Sequence, residues 1–194
     1  MGLLQEKDTK FENMTLTEFD KLPRDEQERY EFVDGMVMMP PKATLIHQLL
    51  ITNLIIGLGP YFKGKTCKVF SEAEIKLKND IFIPDISILC DPDKFSEQRY
   101  EGPPAVAIEV LSPATRSYDL FTKLNKHQMA GVKEYWIVDP KSQTITVHRF
   151  EISEADIYIR GEALTTPLFE GLELAMDGTI FSHHKINPYR RDTG

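Results

Sequence analysis

The 194-residue chain is 41% hydrophobic and 27% charged, and its formal net charge is −7. These values predict one globular domain with a hydrophobic core over residues 1–194, and they exclude a disordered or fibrous chain. The acidic balance is unusual for a protein that contacts phosphates, since those contacts come from Lys and Arg. It is not uniform, however, because residues 114–149 hold 6 basic and 3 acidic side chains.

The N-terminal segment is charged and lacks the apolar stretch of a signal peptide, so we expect residues 1–14 to form a flexible tail. The longest apolar run, residues 49–58, is interrupted by polar residues and predicts no membrane span. Cys67 and Cys90 do not have the spacing of a metal-binding pair. We therefore predict free thiols, a cytoplasmic location and no membrane partner.

The first predicted elements are a short helix and a hairpin. Thr15 is followed three residues later by Glu18, the spacing of a capping box at the start of a helix. Asp34 and Gly35 separate two short apolar runs, which predicts a β-hairpin with a two-residue turn. Glu31 lies on the first strand of that hairpin.

A longer helix is predicted over residues 44–58, where apolar residues recur at helical spacing. Gly57, Gly59 and Pro60 are expected to end it. His47 lies in its first turn, where a hydrogen bond at the helix start is a more ordinary role than ligand binding.

Strands are predicted over residues 67–70, 73–77 and 85–90. The polar stretch 91–104 is rich in turn-forming residues and should be an exposed, mobile loop. Residues 105–111 are apolar apart from one acid, which is typical of a central strand covered on both faces.

A helix is predicted over residues 118–130, with Ser117 as its N-cap and Gly131 as its end. The strand that follows, residues 134–139, contains Trp136, which we expect in the core. A strand, a helix and a second strand in this order predict a right-handed parallel crossover. Further strands are predicted over residues 144–150 and 157–160, with a short segment near residues 172–181.

Two of these apolar runs each carry one acid. Asp85 follows Pro84 at the head of one run, and Glu109 lies inside another. A buried carboxylate needs a cation or several hydrogen bonds beside it, and Lys123 on the next helix is the obvious local cation. Two carboxylates and a lysine could hold a hard cation and orient water, which suits phosphodiester hydrolysis.

Each of these residues also has an ordinary explanation. Asp85 could bond the amides of a local turn, and Glu31 could be a solvated acid on a strand. Lys123 follows Asp119 by four residues and could form an exposed helical ion pair worth about 0.3 to 0.5 kcal/mol. Glu109 is harder to explain in this way, because acids are almost never fully buried without a partner. Taken jointly, the motifs favour a functional site.

The strings YEFVDG, IPDISIL, AIEVLSPAT, DLFTKL and GVKEYWIVDP, in this order, resemble the Uma-two family of restriction endonucleases, a branch of the PD-(D/E)xK nuclease superfamily. The resemblance covers about residues 15–175. It implies an α/β fold with a restriction-endonuclease-like core, in which a mixed β-sheet is flanked by helices. An N-terminal helix and hairpin and a C-terminal β extension would be added to that core.

By this resemblance, Asp85 and Glu109 would be ligands of Mg²⁺, with Mn²⁺ as a substitute, and the carbonyl of Val110 would be a third ligand. Glu31 would match the acid that such folds carry before the core. The resemblance implies cleavage of double-stranded DNA by a homodimer, because cutting both strands requires two such centres.

The chain departs from the superfamily pattern at two positions. The superfamily's lysine belongs two residues after the second acid, where this chain has Leu111. Lys123, in DLFTKL, fits a lysine that has moved to the following helix. His127 stands where the family usually has Tyr, which argues against a substrate contact at this position.

The leading hypothesis is a Mg²⁺-dependent DNA endonuclease in which Asp85, Glu109, Lys123 and Glu31 are catalytic. A second hypothesis is a catalytically inactive module of the same fold that binds nucleic acid or a protein partner, as the acidic charge and the displaced lysine suggest. A third is a two-carboxylate hydrolase of sugars that needs no metal. The tail residues His183 and His184 are not expected to bind a metal.

Overall fold

The structure is a computed structural model that describes residues 13–25, 28–177 and 180–181. The predicted flexible tail, apart from residues 13–14, and the pair His183 and His184 lie outside these ranges. The elements in chain order are α1 (Leu16–Asp20), β1 (Glu31–Val33), β2 (Met36–Met38), α2 (Leu45–Phe62), β3 (Lys68–Ser71), β4 (Ile75–Leu77), β5 (Asp80–Phe82), β6 (Ile86–Leu89), a 3₁₀ turn (Pro92–Lys94), β7 (Tyr100–Glu101), β8 (Val106–Val110), a π-helical segment (Tyr118–Lys123), α3 (Leu124–Ala130), β9 (Glu134–Asp139), β10 (Thr144–Arg149), β11 (Glu154–Tyr158), β12 (Ala163–Thr165) and β13 (Glu173–Ala175).

The strands form three sheets. A six-stranded sheet has the order β11-β10-β9-β8-β6-β3, a five-stranded sheet has the order β2-β1-β5-β4-β7, and β12 pairs with β13. In the six-stranded sheet only β8 and β9 are parallel, and they are joined by the π-helical segment and α3. The predicted mixed sheet and the parallel strand pair are therefore confirmed.

Strand β8 lies at the centre of the molecule with both of its faces covered. Ile108 and Val110 pack in the core cluster that contains α2. Ala107 and Leu111 pack on the opposite face, with side chains of the five-stranded sheet and α3. Because side chains alternate along a strand, Glu109 points to this second face.

The two N-terminal predictions are confirmed. Thr15 and Glu18 form the reciprocal bonds of a capping box at the start of α1. Asp34 (φ 52°) and Gly35 (φ 78°) both lie in the left-handed region, as a type I′ hairpin turn between β1 and β2 requires.

The prediction that α2 ends near Gly57 is wrong, because the helix continues through Pro60 to Phe62. A Cβ at Gly57 would lie 2.6 Å from Leu174 Cδ1, so this glycine permits close packing against β13. Leu58 and Phe62 are buried, and their packing holds the last turns in place despite the proline.

Helix α2 is also the one helix of the described ranges that is long and apolar enough to cross a membrane by length and composition. Core helices of globular proteins pass the same test. Here Leu50, Leu54 and Leu58 are fully buried in the core cluster on the six-stranded sheet. The Asn53 amide donates a hydrogen bond to the carbonyl of Ile180 at 3.1 Å. In this structure one face of α2 therefore packs in the core, whereas Leu45 and Ile56 are exposed.

The stretch predicted as a mobile loop, residues 91–104, is instead anchored. It contains the 3₁₀ turn and strand β7, whose residue Tyr100 is buried. Arg99 is buried as well, and its Nε lies 2.9 Å from Glu74 Oε1. Strands β5, β7 and β12, of two or three residues each, were not predicted.

The helical segment after β8 begins earlier than predicted. Ser112 Oγ accepts a hydrogen bond from the Thr115 amide at 3.2 Å, and the Arg116 amide donates to the Ser112 carbonyl at 3.0 Å. Pro113 follows directly, at the position where a helix tolerates proline best. Ser117 makes no capping bond with its side chain, so the cap is Ser112. The predicted end at Gly131 is confirmed.

The prediction of free thiols is wrong, because Cys67 and Cys90 form a disulfide. Strands β3 and β6 pair antiparallel, with Lys68 opposite Leu89. The two cysteines are the next residues outward on the two strands, so the register brings them together.

Candidate active site

A cavity of about 240 Å³ lies where β8 ends, next to the start of β6 and the first turn of α2. Side chains from distant parts of the sequence line its wall, among them Arg29, His47, Asp85, Glu109, Tyr118 and Lys123. Three of the four side chains predicted as catalytic therefore face one space.

The pairing of β6 with β8 places the two predicted metal-binding acids together. The strands are antiparallel, with Ile86 opposite Ile108. One further step along this register sets Asp85 opposite Glu109, and directly opposed residues have Cβ atoms about 5 Å apart. Both side chains therefore leave the sheet on the same face.

Asp85 is held by three neighbours. Its Oδ2 accepts a hydrogen bond from the Val110 amide at 2.8 Å and lies 3.1 Å from His47 Nε2. Its Oδ1 lies 3.3 Å from a guanidinium nitrogen of Arg29. Burial acts to raise the pKa of Asp85, but the bonds from His47 and Val110 leave that pKa below its usual value. Its amide partner is on the neighbouring strand and not in a local turn.

Lys123 occupies the last position of the π-helical segment and is buried, with 4% of its surface exposed. Its Nζ lies 2.9 Å from Glu109 Oε1, 2.9 Å from Glu31 Oε1 and 3.7 Å from Asp119 Oδ1. An exposed helical ion pair is therefore the wrong description of Lys123. Segments of π-helix are rare and frequently occur at functional sites.

Glu31 is fully buried, so the alternative of a solvated strand acid is wrong. Its Oε1 accepts a hydrogen bond from the Ile83 amide at 2.9 Å in addition to its contact with Lys123. Its Oε2 is buried without a hydrogen-bond partner in the described part of the chain. Glu31 is not among the residues that line the cavity, and it contacts the cavity wall through Lys123.

The charges in this cluster do not balance. Burial acts to lower the pKa of Lys123, but Glu109, Glu31 and Asp119 together raise that pKa well above its usual value. Burial and the neighbouring acids raise the pKa of Glu109 well above its usual value, although Lys123 acts to lower it. With Asp85, four carboxylates share the permanent charges of Lys123 and Arg29. This excess of acid at the cavity is suited to a cation.

His47, Arg29 and Tyr118 also line the cavity, although the sequence did not indicate them as site residues. His47 does bond at the helix start, where its amide donates to Thr44 Oγ1 at 3.2 Å, but its ring reaches Asp85. The Tyr118 hydroxyl is buried and has no hydrogen-bond partner among residues 13–25, 28–177 and 180–181. Tyr118 and Arg29 directly precede the strings DLFTKL and YEFVDG, but neither they nor His47 lie within the strings that carry the family resemblance.

No group of three or more His, Cys, Asp or Glu side chains within the described ranges is arranged to hold a metal ion. A metal centre here would therefore need a main-chain oxygen as well. The Val110 carbonyl is such an atom, since it lies 3.0 Å from His47 Nε2, which also contacts Asp85. Carboxylate and carbonyl oxygens are the donors that Mg²⁺ and Mn²⁺ prefer, so this set fits a hard divalent cation.

Comparisons with known proteins agree with this architecture. A crystal structure described as "a putative nuclease belonging to DUF820", from Anabaena variabilis, superposes with a TM-score of 0.75 at 21% identity. The match covers 87% of this chain and 98% of that one, and it shows that the two share a fold. An uncharacterized protein from Synechocystis sp., slr1290, is 25% identical over 142 residues, which are 71% of this chain and 75% of that protein.

Residues 16–177 match the sequence profile of a family named Uma2 and described as "Putative restriction endonuclease". This range holds all four of the predicted catalytic residues and every described helix and strand. The expected α/β restriction-endonuclease-like fold is confirmed, and the chain belongs to the Uma2 family.

Proposed function

We propose that this protein is a divalent-metal-dependent endonuclease that hydrolyses phosphodiester bonds of DNA. The observation that carries the proposal is the convergence of Asp85, Glu109 and the Val110 carbonyl on one cavity, beside a lysine whose charge is held in place by buried acids. Membership of the Uma2 family supports the reaction class.

Asp85, Glu109 and the Val110 carbonyl would hold the cation. When bound, Mg²⁺ or Mn²⁺ supplies a positive charge for the scissile phosphate and lowers the pKa of water. Arg29 places a permanent positive charge on the cavity wall, where it can attract a phosphate.

Lys123 stays protonated, so its role in this scheme is to orient water or to stabilise negative charge that develops on the phosphate. Glu31 positions the ammonium of Lys123 from behind the cavity. It therefore acts through Lys123 and does not contact the substrate.

The finer parts of the proposal concern substrate and assembly. Cutting both strands of double-stranded DNA requires two centres, which a homodimer would supply. We propose a cytoplasmic location together with this substrate. That location implies that the Cys67–Cys90 disulfide of this structure is exposed to a reducing medium.

Nicking of supercoiled plasmid in Mg²⁺ or Mn²⁺ tests the reaction. We expect Asp85→Asn and Glu109→Gln to lower the nicking rate by about 100-fold or more, since loss of even an outer partner of a metal ligand costs 10- to 100-fold. Glu173→Gln, which removes one exposed carboxylate from β13, is the matched control. Full activity in the double variant Asp85→Asn, Glu109→Gln would refute the assignment.

A catalytically inactive binding module is the second candidate. It is favoured by one observation, namely that the acids already have internal cationic partners in Lys123 and Arg29. Calorimetry separates the two proposals. The inactive module should bind nucleic acid or a protein without taking up Mg²⁺ in a manner that depends on Glu109.

A further inference from the structure

His47 lies at the meeting point of three elements. The Thr44 side chain caps α2 and fixes the backbone of its first turn, because its Oγ1 accepts the His47 amide hydrogen at 3.2 Å. From this position the ring reaches across the cavity edge to the end of β8 and the start of β6. Only 11% of the His47 side chain is exposed.

One ring nitrogen contacts the two oxygens expected to bind a metal. Nε2 lies 3.0 Å from the Val110 carbonyl and 3.1 Å from Asp85 Oδ2. Both of these oxygens are hydrogen-bond acceptors, so in this structure Nε2 carries the hydrogen that they share. Without that hydrogen, the nitrogen Nε2 would lie within 3.1 Å of two oxygen donor atoms.

The separations match those of ligands around a six-coordinate ion. Octahedral Mg²⁺ has bonds of about 2.1 Å, which places adjacent ligand atoms about 3.0 Å apart. The contacts of Nε2 at 3.0 and 3.1 Å are close to this value. A cation could therefore replace the shared hydrogen with little movement of α2 or the sheet.

The other ring nitrogen limits how tightly such a ligand would bind. Ligation through Nε2 moves the ring hydrogen to Nδ1, which is buried and has no hydrogen-bond partner in the described part of the chain. Histidine ligands usually donate that hydrogen to a carboxylate or carbonyl, and loss of such a partner weakens metal binding about 10- to 100-fold. We therefore expect affinity of moderate strength.

We propose that His47 is a ligand of the divalent metal, together with Asp85 and the Val110 carbonyl, and that it makes the centre prefer Mn²⁺ to Mg²⁺. The preference follows because imidazole suits transition metals, whereas Mg²⁺ favours oxygen ligands. This inference rests on the proposed function, since it assumes that the cavity binds a divalent ion. Its ligand set is His47, Asp85 and the Val110 carbonyl, and it does not require Glu109, which pairs with Lys123 in this structure.

Pulsed electron paramagnetic resonance of Mn²⁺ bound to the protein tests the inference without an activity assay. The unaltered protein should show the modulation of a directly bound ¹⁴N nucleus. Labelling its histidines with ¹⁵N should replace that signal with a ¹⁵N coupling, even if no variant folds. His47→Gln should abolish the coupling and weaken Mn²⁺ binding at least about tenfold, while Mg²⁺ binding changes less.

Two controls assign the signal to the correct histidine. His148→Gln removes a half-buried histidine on β10, and the double variant His183→Gln, His184→Gln removes the tail pair. Both should keep the ¹⁴N coupling. Bound Mn²⁺ without nitrogen coupling, or coupling that persists in His47→Gln, would overturn the inference and leave the nuclease proposal intact. Failure of the unaltered protein to bind Mn²⁺ or Mg²⁺ at all would overturn both.

Discussion

The same six-stranded sheet carries two buried charged clusters that differ in one respect. The cluster around Lys123 is the candidate active site. The second, which we call the Glu134 cluster, consists of Glu134, Trp136, Arg149 and Thr166 at the opposite end of the parallel strand pair. Glu134 Oε2 accepts a bond from Trp136 Nε1 at 2.8 Å, and Oε1 accepts a bond from the Thr166 hydroxyl.

In the Glu134 cluster one buried acid, Glu134, faces one buried cation, Arg149, although Arg149 Nε has no hydrogen-bond partner among the described residues. Arg149 Nε lies 3.5 Å from Glu134 Oε1, and its terminal nitrogens bond Asp156, Tyr158 and the Thr165 carbonyl. Around Lys123, by contrast, acids outnumber cations. Burial of charge alone therefore does not mark a functional site. Both clusters line a cavity, so the excess of acid over cation is what distinguishes the cluster around Lys123.

The largest expected effect comes from removing the cation of each cluster. Lys123→Met leaves Glu109, Glu31 and Asp119 buried without their shared cation, and should lower the free energy of unfolding by about 3 to 5 kcal/mol. Arg149→Met should cost about 1 to 2 kcal/mol, because Glu134 keeps its two other donors. Urea unfolding of both variants measures the difference. Equal losses would show that the two clusters do not differ in balance.

Replacing one acid of each cluster, Glu109 or Glu134, with the neutral Gln separates an effect on activity from an effect on stability. Glu109→Gln should abolish nicking yet change the free energy of unfolding by less than about 1 kcal/mol, because burial already disfavours its ionised form. Glu134→Gln should keep nicking and lower the free energy of unfolding by about 1 to 3 kcal/mol, since it loses a charged acceptor. Nicking assays and urea unfolding at pH 8 check both halves. The reverse pattern would indicate that the active site is at the Glu134 cluster.

Binding of a divalent ion should stabilise the folded protein through the cluster around Lys123 and not through the Glu134 cluster. At a Mn²⁺ concentration 100 times its dissociation constant, the free energy of unfolding should rise by about 2.7 kcal/mol. Thermal unfolding should show this increase in the unaltered protein and in Glu134→Gln, but not in Asp85→Asn. An equal increase in all three proteins would indicate binding elsewhere.

Per pH unit, the smallest effect is a pH dependence that comes from His127, which lies behind Lys123. His127 is fully buried between Phe82 and Tyr135, its Nδ1 lies 2.7 Å from the Lys123 carbonyl, and burial lowers the pKa of His127 to about 3. The unfolded chain binds a proton near pH 6.5 that the folded chain binds only near pH 3. Stability should therefore fall below pH 6.5, by at most about 1.4 kcal/mol per pH unit from this residue.

His127→Phe should remove this part of the pH dependence, since it keeps a ring between the two aromatic neighbours. Urea unfolding between pH 4 and pH 8 measures it. An unchanged slope in the variant would show that the imidazole takes up its proton without unfolding. The contribution of His148, whose pKa is also lowered by burial, remains in both proteins and cancels in the comparison.

The sequence by itself determined the features that depend on neighbouring residues. The capping box at Thr15, the turn at Asp34 and Gly35, and the end at Gly131 follow from the conformations that these residues prefer. An acid inside an apolar strand pointed to Glu109 because burial of a charge requires a partner. The linked motifs gave the family, and with it the fold.

Only the tertiary structure decided which distant groups fill the space around those acids. His47 and Arg29 reach Asp85 because α2 and the segment before β1 pack beside the end of β8, and no local pattern records that placement. Packing against Leu174 likewise allows α2 to continue beyond Gly57. The register of β3 and β6 brings Cys67 and Cys90 close enough to form a disulfide. Local preferences act over a few residues, whereas these contacts depend on how whole elements pack.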